Sequence, residues 1–195
     1  FDEAIFKGQY PKKTLKLFDQ YMPENFESDL PQINRKIDWI GINYYTRSII
    51  KADQYEPNTK FITVAGDLPK TDMGWEIFPA GLTKILTRQV ESYSKTISIH
   101  ITENGMASHD ELVNGSKVIN DQDRIKYYQL HLEELKALID NKIPIKSYFA
   151  WSLLDNFEWA FGYNKTFGLV SVNYDTQIRT PKNSYYAFQR ALKFL

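Results

Sequence analysis

The sequence contains no cysteine, no excess of charge of either sign and no long apolar run. The absence of cysteine excludes disulfide scaffolds and thiolate sites, and it leaves the redox compartment open. The 24 basic and 24 acidic residues are interspersed, so no basic stripe predicts a nucleic-acid or membrane partner. Because no apolar run approaches the roughly 20 residues of a membrane span, we expect no transmembrane helix.

Aromatic residues, by contrast, make up 15% of the chain, with four Trp and thirteen Tyr among 195 residues. Aromatic rings can cover the apolar faces of sugars, but they can equally form a large packed core. The length is sufficient for one sizeable domain. The sequence starts at Phe1 within a helix-and-loop segment, and no signal peptide is visible, so the compartment is left open.

Three short apolar runs, rich in β-branched or aromatic residues, predict buried strands. They cover residues 37–45, 97–102 and 145–153. Their near-continuous apolar character is typical of a parallel sheet covered on both faces. Since Trp39 lies within the first run and His100 within the second, we expect both side chains to be packed.

Helical periodicity separates these strands. The predicted helices cover residues 82–93, 125–139 and 184–195, and Asn120 or Asp121 is the expected N-cap of the second. A short extra strand is predicted within residues 167–174, and polar loops over 51–75 and 104–120. His131 and Glu134 are three residues apart on the second helix, but without a second such pair they predict a helix surface rather than a metal site.

The alternation of strands and helices predicts an α/β fold, with a parallel sheet and right-handed crossovers. Three such units cannot close an eight-stranded barrel. They are compatible with a small open sheet or with the last three units of a barrel.

Each predicted strand ends in polar and aromatic residues, at 43–45, 102–104 and 151–159. In βα architectures the carboxyl ends of the strands carry the active site. An oxocarbenium-like charge needs a facing carboxylate, and sugar hydroxyls need acceptors, so this combination favours sugar chemistry. A single glutamate such as Glu103 after an apolar strand would more often be a solvated loop residue.

The ITENG motif at 101–105 resembles the nucleophile signature of the family 1 glycoside hydrolases, the β-glucosidase family. Further segments resemble that family in the same order: FKGQYP at 6–11, DWIGINYYT at 38–46, MGWEI at 73–77 and WSLLDNFEW at 151–159. The resemblance therefore extends over almost the whole chain. It implies a partial TIM (β/α)8 barrel, with residues 1–195 forming a single partial domain that holds the last three units, strands six to eight.

The resemblance also implies the catalytic residues of a retaining β-glycosidase. Glu103 would attack the anomeric carbon and form a covalent glycosyl-enzyme. Tyr45 would donate a hydrogen bond to that carboxylate, and Asn43 would lie beside it and help to fix the substrate. No metal or other cofactor is implied.

The same resemblance assigns five substrate-binding residues. Glu158 would accept two sugar hydroxyls, and Trp159 would contact the same end of the sugar. Trp151 would be the stacking platform, Phe167 would line the glycone pocket and Trp75 would lie toward the aglycone. Because a carboxylate at position 158 would repel a phosphate dianion, we expect β-glucosides or similar oligosaccharides without a phosphate as substrates.

Retaining hydrolysis needs a second carboxyl group about 5–5.5 Å from the nucleophile. In family 1 this acid/base glutamate lies in a Thr-x-Asn-Glu-Pro segment, which the 195 residues do not contain. We therefore expect the isolated chain to be nearly inactive and to need an N-terminal barrel half, in the same chain or as a separate partner in a split enzyme. A non-catalytic carbohydrate-binding remnant is the alternative, although binding alone would not need Glu103.

Overall fold

The computed structural model describes residues 1–56, 60–112 and 118–193. The α-helices in this part are α1 (Asp2–Lys7), α2 (Lys12–Phe18), α3 (Leu30–Ile33), α4 (Ala80–Ser92), α5 (Gln122–Asp140) and α6 (Asn183–Ala191). The strands are β1 (Trp39–Asn43), β2 (Ile49–Ala52), β3 (Phe61–Val64), β4 (Ser98–Asn104), β5 (Glu111–Leu112), β6 (Ile119–Asn120), β7 (Ile145–Ala150), β8 (Val170–Val172) and β9 (Arg179–Pro181).

The central element is a three-stranded sheet in the order β1-β4-β7, and both of its pairings are parallel. Helix α4 precedes β4 and helix α5 precedes β7, so the predicted βα alternation is confirmed. Asn43 at the end of β1 lies opposite Glu103 of β4, and the register is irregular between Ile42 and Asn43. The carboxyl ends of the strands therefore meet at one edge of the sheet.

One face of this sheet packs against α4 and α5. The hydrophobic core between the sheet and the two helices contains isoleucines of β4 and leucines of the helices: Ile99, Ile101, Leu82, Leu86, Leu135 and Leu138. The spacing of four residues in α4 and three in α5 places each pair of leucines on one side of its helix. Burying such a side chain contributes about 1.5–3 kcal/mol relative to leaving it exposed.

The other face of the sheet is not covered by the described helices. Successive side chains of a strand point to opposite faces, so Trp39 and Asn43 of β1 are exposed while Ile40 packs on the core. The predictions of a buried Trp39 and of a sheet covered on both faces are therefore wrong for this part of the chain. Trp39 is 55% exposed, and its ring contacts the edge of the half-buried His100.

Several element boundaries differ from the sequence-based predictions. The polar loop predicted over 51–75 overlaps an antiparallel hairpin, because β-branched residues on both arms pair from Ile49 with Val64 to Ala52 with Phe61. The segment 104–120 contains the short pair of β5 and β6, and residues 113–117 of this prediction lie outside the described residues. The extra strand predicted near residue 170 is β8, which pairs with β9.

The helices begin and end close to the predicted positions. Helix α6 ends at Ala191, and residues 194–195 of that prediction lie outside the described part. Asp121 precedes α5 as expected, but its carboxylate binds Arg124 and the backbone N–H of Ser184 instead of capping its own helix. Within the described residues, no helix combines the length and apolar character that crossing a membrane requires.

His131 is fully buried, so its prediction as a surface residue is wrong. Its ring stacks on Tyr127 with 4.0 Å between centroids, and its Nδ1 lies 2.8 Å from the Tyr127 carbonyl oxygen. Its Nε2 has no hydrogen-bond partner among the described residues. The position belongs to the buried stripe of α5, together with Tyr127 and Leu135.

Burial lowers the pKa of His131 from 6.5 to about 4. The unfolded chain takes up a proton near pH 6.5, whereas the folded chain does so only near pH 4. His131 therefore contributes stability that is present above pH 6.5 and is lost, by about 3 kcal/mol, as the pH falls through this window. We expect His131→Phe to flatten the pH dependence of the free energy of unfolding between pH 6.5 and 4, measured by urea titration.

The exposed His109 provides the matched control, because its side chain is not buried as that of His131 is. His109→Asn should leave the pH dependence as it is in the parent chain. An equal pH dependence in the parent and in His131→Phe would contradict the assignment.

Candidate active site

The side chain of Asn104 ties the carboxyl end of β4 to its neighbours. It is fully buried, and its Nδ2 donates to the Tyr44 carbonyl oxygen (2.7 Å) and to the Tyr127 hydroxyl (2.9 Å). Its Oδ1 accepts from the hydroxyl of Tyr148 (2.7 Å). One amide therefore joins β4 to β1, α5 and β7.

Glu103 precedes Asn104 and is half-buried. Tyr45, just beyond β1, donates a hydrogen bond from its hydroxyl to Glu103 Oε2 at 2.6 Å. Burial, followed by the hydrogen bond to Glu103 and the charges of Glu103 and Glu158, raises the pKa of Tyr45 far above its ordinary value. Tyr45 is therefore a permanent donor, fixed on this carboxylate.

Asn43 lies beside Glu103, as expected, since the two residues are opposite each other in the β1–β4 ladder. The Thr102 hydroxyl donates to Asn43 Oδ1 at 2.6 Å, which leaves the amide Nδ2 of Asn43 on the exposed face. The side chains of Thr102 and Asn104, which flank Glu103, bind Asn43 and the buried interface, and Tyr45 is the donor to Glu103.

Three aromatic side chains, Tyr45, Trp75 and Phe167, form an aromatic triad beside the carboxylate. The Tyr45 ring lies edge-on to Trp75 at 5.6 Å and to Phe167 at 6.2 Å, and the centroids of Trp75 and Phe167 are 6.3 Å apart. Phe167 is only 2% exposed and Trp75 is half-buried. The triad therefore gives the hydroxyl of Tyr45 a rigid, largely apolar support.

Glu158 and Trp159 lie in a tight turn after β7, where Glu158 N donates to the Gly162 carbonyl oxygen at 2.7 Å. Burial and then the charge of Glu103 raise the pKa of Glu158. Trp159 is 84% exposed. The turn thus carries a carboxylate and an open indole at neighbouring positions.

Trp151 directly follows β7, is half-buried, and precedes a cis peptide bond to Ser152. Its N–H donates to the Asn104 carbonyl oxygen at 2.9 Å, and its carbonyl oxygen accepts from the Tyr128 hydroxyl at 3.2 Å. A Cβ at Gly105 would lie 1.8 Å from that same carbonyl oxygen. Glycine at position 105 therefore permits β4 to approach Trp151.

The sequence reasoning missed a buried charge cluster of five residues: Asp110, Asp121, Arg124, Asp155 and Lys182. Arg124 donates to Asp110 (2.9 Å) and to Asp121, and Lys182 donates to Asp110 (2.5 Å) and Asp155 (2.9 Å). Both cations are fully buried. Burial lowers the pKa of Arg124, but the charges of Asp110 and Asp121 outweigh this effect and raise it.

This buried charge cluster joins the loops that follow β4 and β7. Arg124 donates to the carbonyl oxygens of Met106 (3.3 Å) and Thr166 (2.6 Å). Asp155 accepts from the N–H of Gly168 at 2.8 Å and so helps to shape the loop after β7. The sequence feature that could have predicted this cluster is Arg124, a charged residue on the buried stripe of α5.

Comparison with known proteins agrees with this fold. The family model described as glycosyl hydrolase family 1 matches residues 1–194. β-Glucosidase A of Thermotoga maritima is 44% identical over 193 residues, covering 99% of this chain and 43% of the relative. 1,4-β-D-Glucan glucohydrolase of Thermotoga neapolitana is also 44% identical, with the same coverage. The solved family 1 β-glucosidase from Thermotoga maritima has a TM-score of 0.93 and 42% identity, covering 98% of this chain and 42% of that one.

The parallel sheet and its helices define part of an α/β barrel protein, since the structural neighbours are TIM-barrel β-glucosidases. The chain belongs to glycosyl hydrolase family 1. It spans less than half of the length of the relatives described above.

The buried charge cluster predicts a large stability effect at Asp155. Asp155→Asn leaves Lys182 with a single carboxylate partner in a buried position, and removing one member of a buried ion pair costs about 3 kcal/mol or more. We expect this loss in the free energy of unfolding, measured by urea titration at pH 7.

Asp140→Asn is the matched control, because the pair of Asp140 with Lys136 is exposed, at 63% and 74%. Its loss should cost less than about 0.5 kcal/mol. Equal effects of the two substitutions would show that the cluster does not hold the loops.

Proposed function

We propose that this chain supplies the nucleophile side of a retaining β-glucosidase, with Glu103 as the nucleophile. The observation that carries the proposal is the 2.6 Å hydrogen bond from Tyr45 to Glu103 at the carboxyl ends of parallel strands. The names of the relatives, β-glucosidases and a glucan glucohydrolase, support the substrate class.

In the proposed reaction, one oxygen of Glu103 attacks the anomeric carbon and the bond to the leaving oxygen breaks. That oxygen takes its proton from an acid/base carboxyl group supplied from outside residues 1–195. Water, which gives a proton to the same acid/base group, then attacks the anomeric carbon, displaces Glu103 and releases the sugar. Tyr45, which stays protonated, holds the carboxylate in one orientation, and Asn43 presents its amide to the substrate.

The sugar would be held by the residues after β7 and by the aromatic triad. Glu158 would accept hydrogen bonds from sugar hydroxyls, and Trp159 would contact the same end of the sugar. Trp151 would stack on the sugar ring, and Phe167 would line the glycone pocket. The charge of Glu103 raises the pKa of Glu158, and hydroxyl donors from the sugar would stabilise the ionised form of Glu158. Trp75 would then face the aglycone.

Glu158 also favours substrates that carry no phosphate. The comparison with substrates that carry a phosphate matters because one relative, of Clostridium acetobutylicum, is named a 6-phospho-β-galactosidase; it is 35% identical over 215 residues. A second anionic group near Glu103 and Glu158 would be repelled by both carboxylates. β-Glucosides and related oligosaccharides are therefore the proposed substrates.

We further propose that the three βα units are units six to eight of the barrel and that an N-terminal half completes it. Among the described residues, β1 and β7 each pair with β4 alone in the sheet. Trp39 and Phe149 are 55% and 56% exposed on the sheet face away from α4 and α5. An added half, in the same chain or in a partner, would cover these side chains and pair both edges.

The purified 195-residue chain should hydrolyse an aryl β-glucoside no faster than background, because it lacks both the acid/base carboxyl group and the proposed N-terminal half of the barrel. A chimera, in which the unmatched N-terminal part of Thermotoga maritima β-glucosidase A precedes residue 1, should be active. Steady-state release of the aryl group measures both.

Glu103→Gln in this chimera should lower kcat by about 10⁴-fold or more, since it removes the nucleophile. Glu91→Gln, at an exposed position of α4, is the matched control and should leave kcat unchanged. Turnover that survives Glu103→Gln would refute the nucleophile, and a folded chimera without turnover would refute the proposed function. Turnover by the isolated chain that depends on Glu103 would refute its inactivity.

A further inference from the structure

Trp75 lies in the loop between β3 and α4, and this loop crosses the exit of β1. Backbone hydrogen bonds shape the loop, from Thr71 N to the Trp75 carbonyl oxygen (2.8 Å) and from Ile77 N to the Pro69 carbonyl oxygen (2.8 Å). These bonds give the loop its form, but they do not attach it to β1. Other contacts fix Trp75 against Tyr45.

The attachment to β1 is made by Glu76, the residue after Trp75. Its buried carboxylate accepts from Arg47 Nε at 2.7 Å and from the N–H of Leu68 at 2.9 Å. Its carbonyl oxygen accepts from the hydroxyl of Thr46 at 2.8 Å. Since Thr46 and Arg47 directly follow Tyr45, Glu76 connects the loop to the segment that orients Glu103.

Two further features constrain Glu76 and its loop. A Cβ at Gly66 would lie 1.8 Å from Glu76 Oε1, so the backbone approaches the carboxylate as closely as glycine allows. Three residues before Trp75, Asp72 accepts from Lys165 with its carbonyl oxygen (2.7 Å) and with its carboxylate (2.9 Å). Ion pairs therefore hold the Trp75 loop both to the Tyr45 segment and to the segment before Phe167.

We infer that Glu76, through Arg47, is a positioning residue that fixes Trp75 against Tyr45 and so sets the selectivity for the leaving group. This inference rests on the proposed β-glucosidase function. Glu76 does not touch the substrate. Its effect is on the indole that faces the aglycone, whereas the carboxylate that attacks the sugar is held separately by Tyr45.

Glu76→Gln tests the inference, because an amide keeps the size of the side chain but loses the charge that holds Arg47. In the chimera, KM for an aryl β-glucoside should rise about tenfold, as expected when one apolar wall of a pocket is displaced. With β-glucosyl fluoride, which has no aryl aglycone, KM and kcat should stay within about twofold of the parent.

Asp67→Asn is the matched control, because Asp67 is an exposed acidic residue of the same loop. It should leave KM and kcat unchanged for both substrates. Equal effects of Glu76→Gln on both substrates, or none on either, would overturn the inference. Loss of turnover in the parent chimera would instead count against the proposed function.

A second measurement does not depend on activity. In the 195-residue chain, Glu76→Gln should speed amide hydrogen exchange at Leu68, Thr71 and Ile77 by about tenfold, while exchange in β4 stays unchanged. Uniform acceleration across the chain would indicate general destabilisation, and unchanged exchange in the loop would show that Glu76 does not fix it. Either result would overturn the positioning role.

Discussion

The backbone geometry at the irregular end of β4 is the constraint on which the rest of the site depends. Asn104 points into the buried interface, where its amide binds Tyr44, Tyr127 and Tyr148. Ile101 and Asn104 are both buried because the pairing of β4 is irregular between them. The carboxylate of Glu103, between these two residues, accepts from the hydroxyl of Tyr45 instead. The packing that stabilises the sheet and the orientation of the candidate nucleophile are therefore consequences of the same backbone geometry.

The carboxylate of Glu103 and the charged side chains farther from it have different kinds of partner. At the centre, the carboxylate of Glu103 is held by a neutral donor, the hydroxyl of Tyr45. Farther out, ion pairs such as Arg47–Glu76 and the buried charge cluster hold the loops that carry Trp75 and Glu158. In the proposed reaction, this arrangement leaves Glu103 available for attack while the surrounding loops are fixed.

The sequence predicted the βα order and the residues at the strand ends, because short apolar runs and polar strand ends are local patterns. It misplaced Trp39 and His131, since burial depends on which face of a strand or helix has a neighbour. Tyr45 was expected from the family resemblance, but the roles of Asn104, Arg124 and Glu76 were not. Their partners are up to 60 residues away in the chain. The spacing of apolar and polar residues along the sequence does not predict such distant contacts.

The most direct test of this account is to locate a trapped glycosyl group in the active chimera. A 2-deoxy-2-fluoro-β-glucoside slows the hydrolysis of the covalent intermediate, and peptide mass spectrometry can identify the modified residue. The account predicts one added 2-fluoroglucosyl group, on Glu103. A label on Glu158 or on another carboxylate, with Glu103 unmodified, would contradict it.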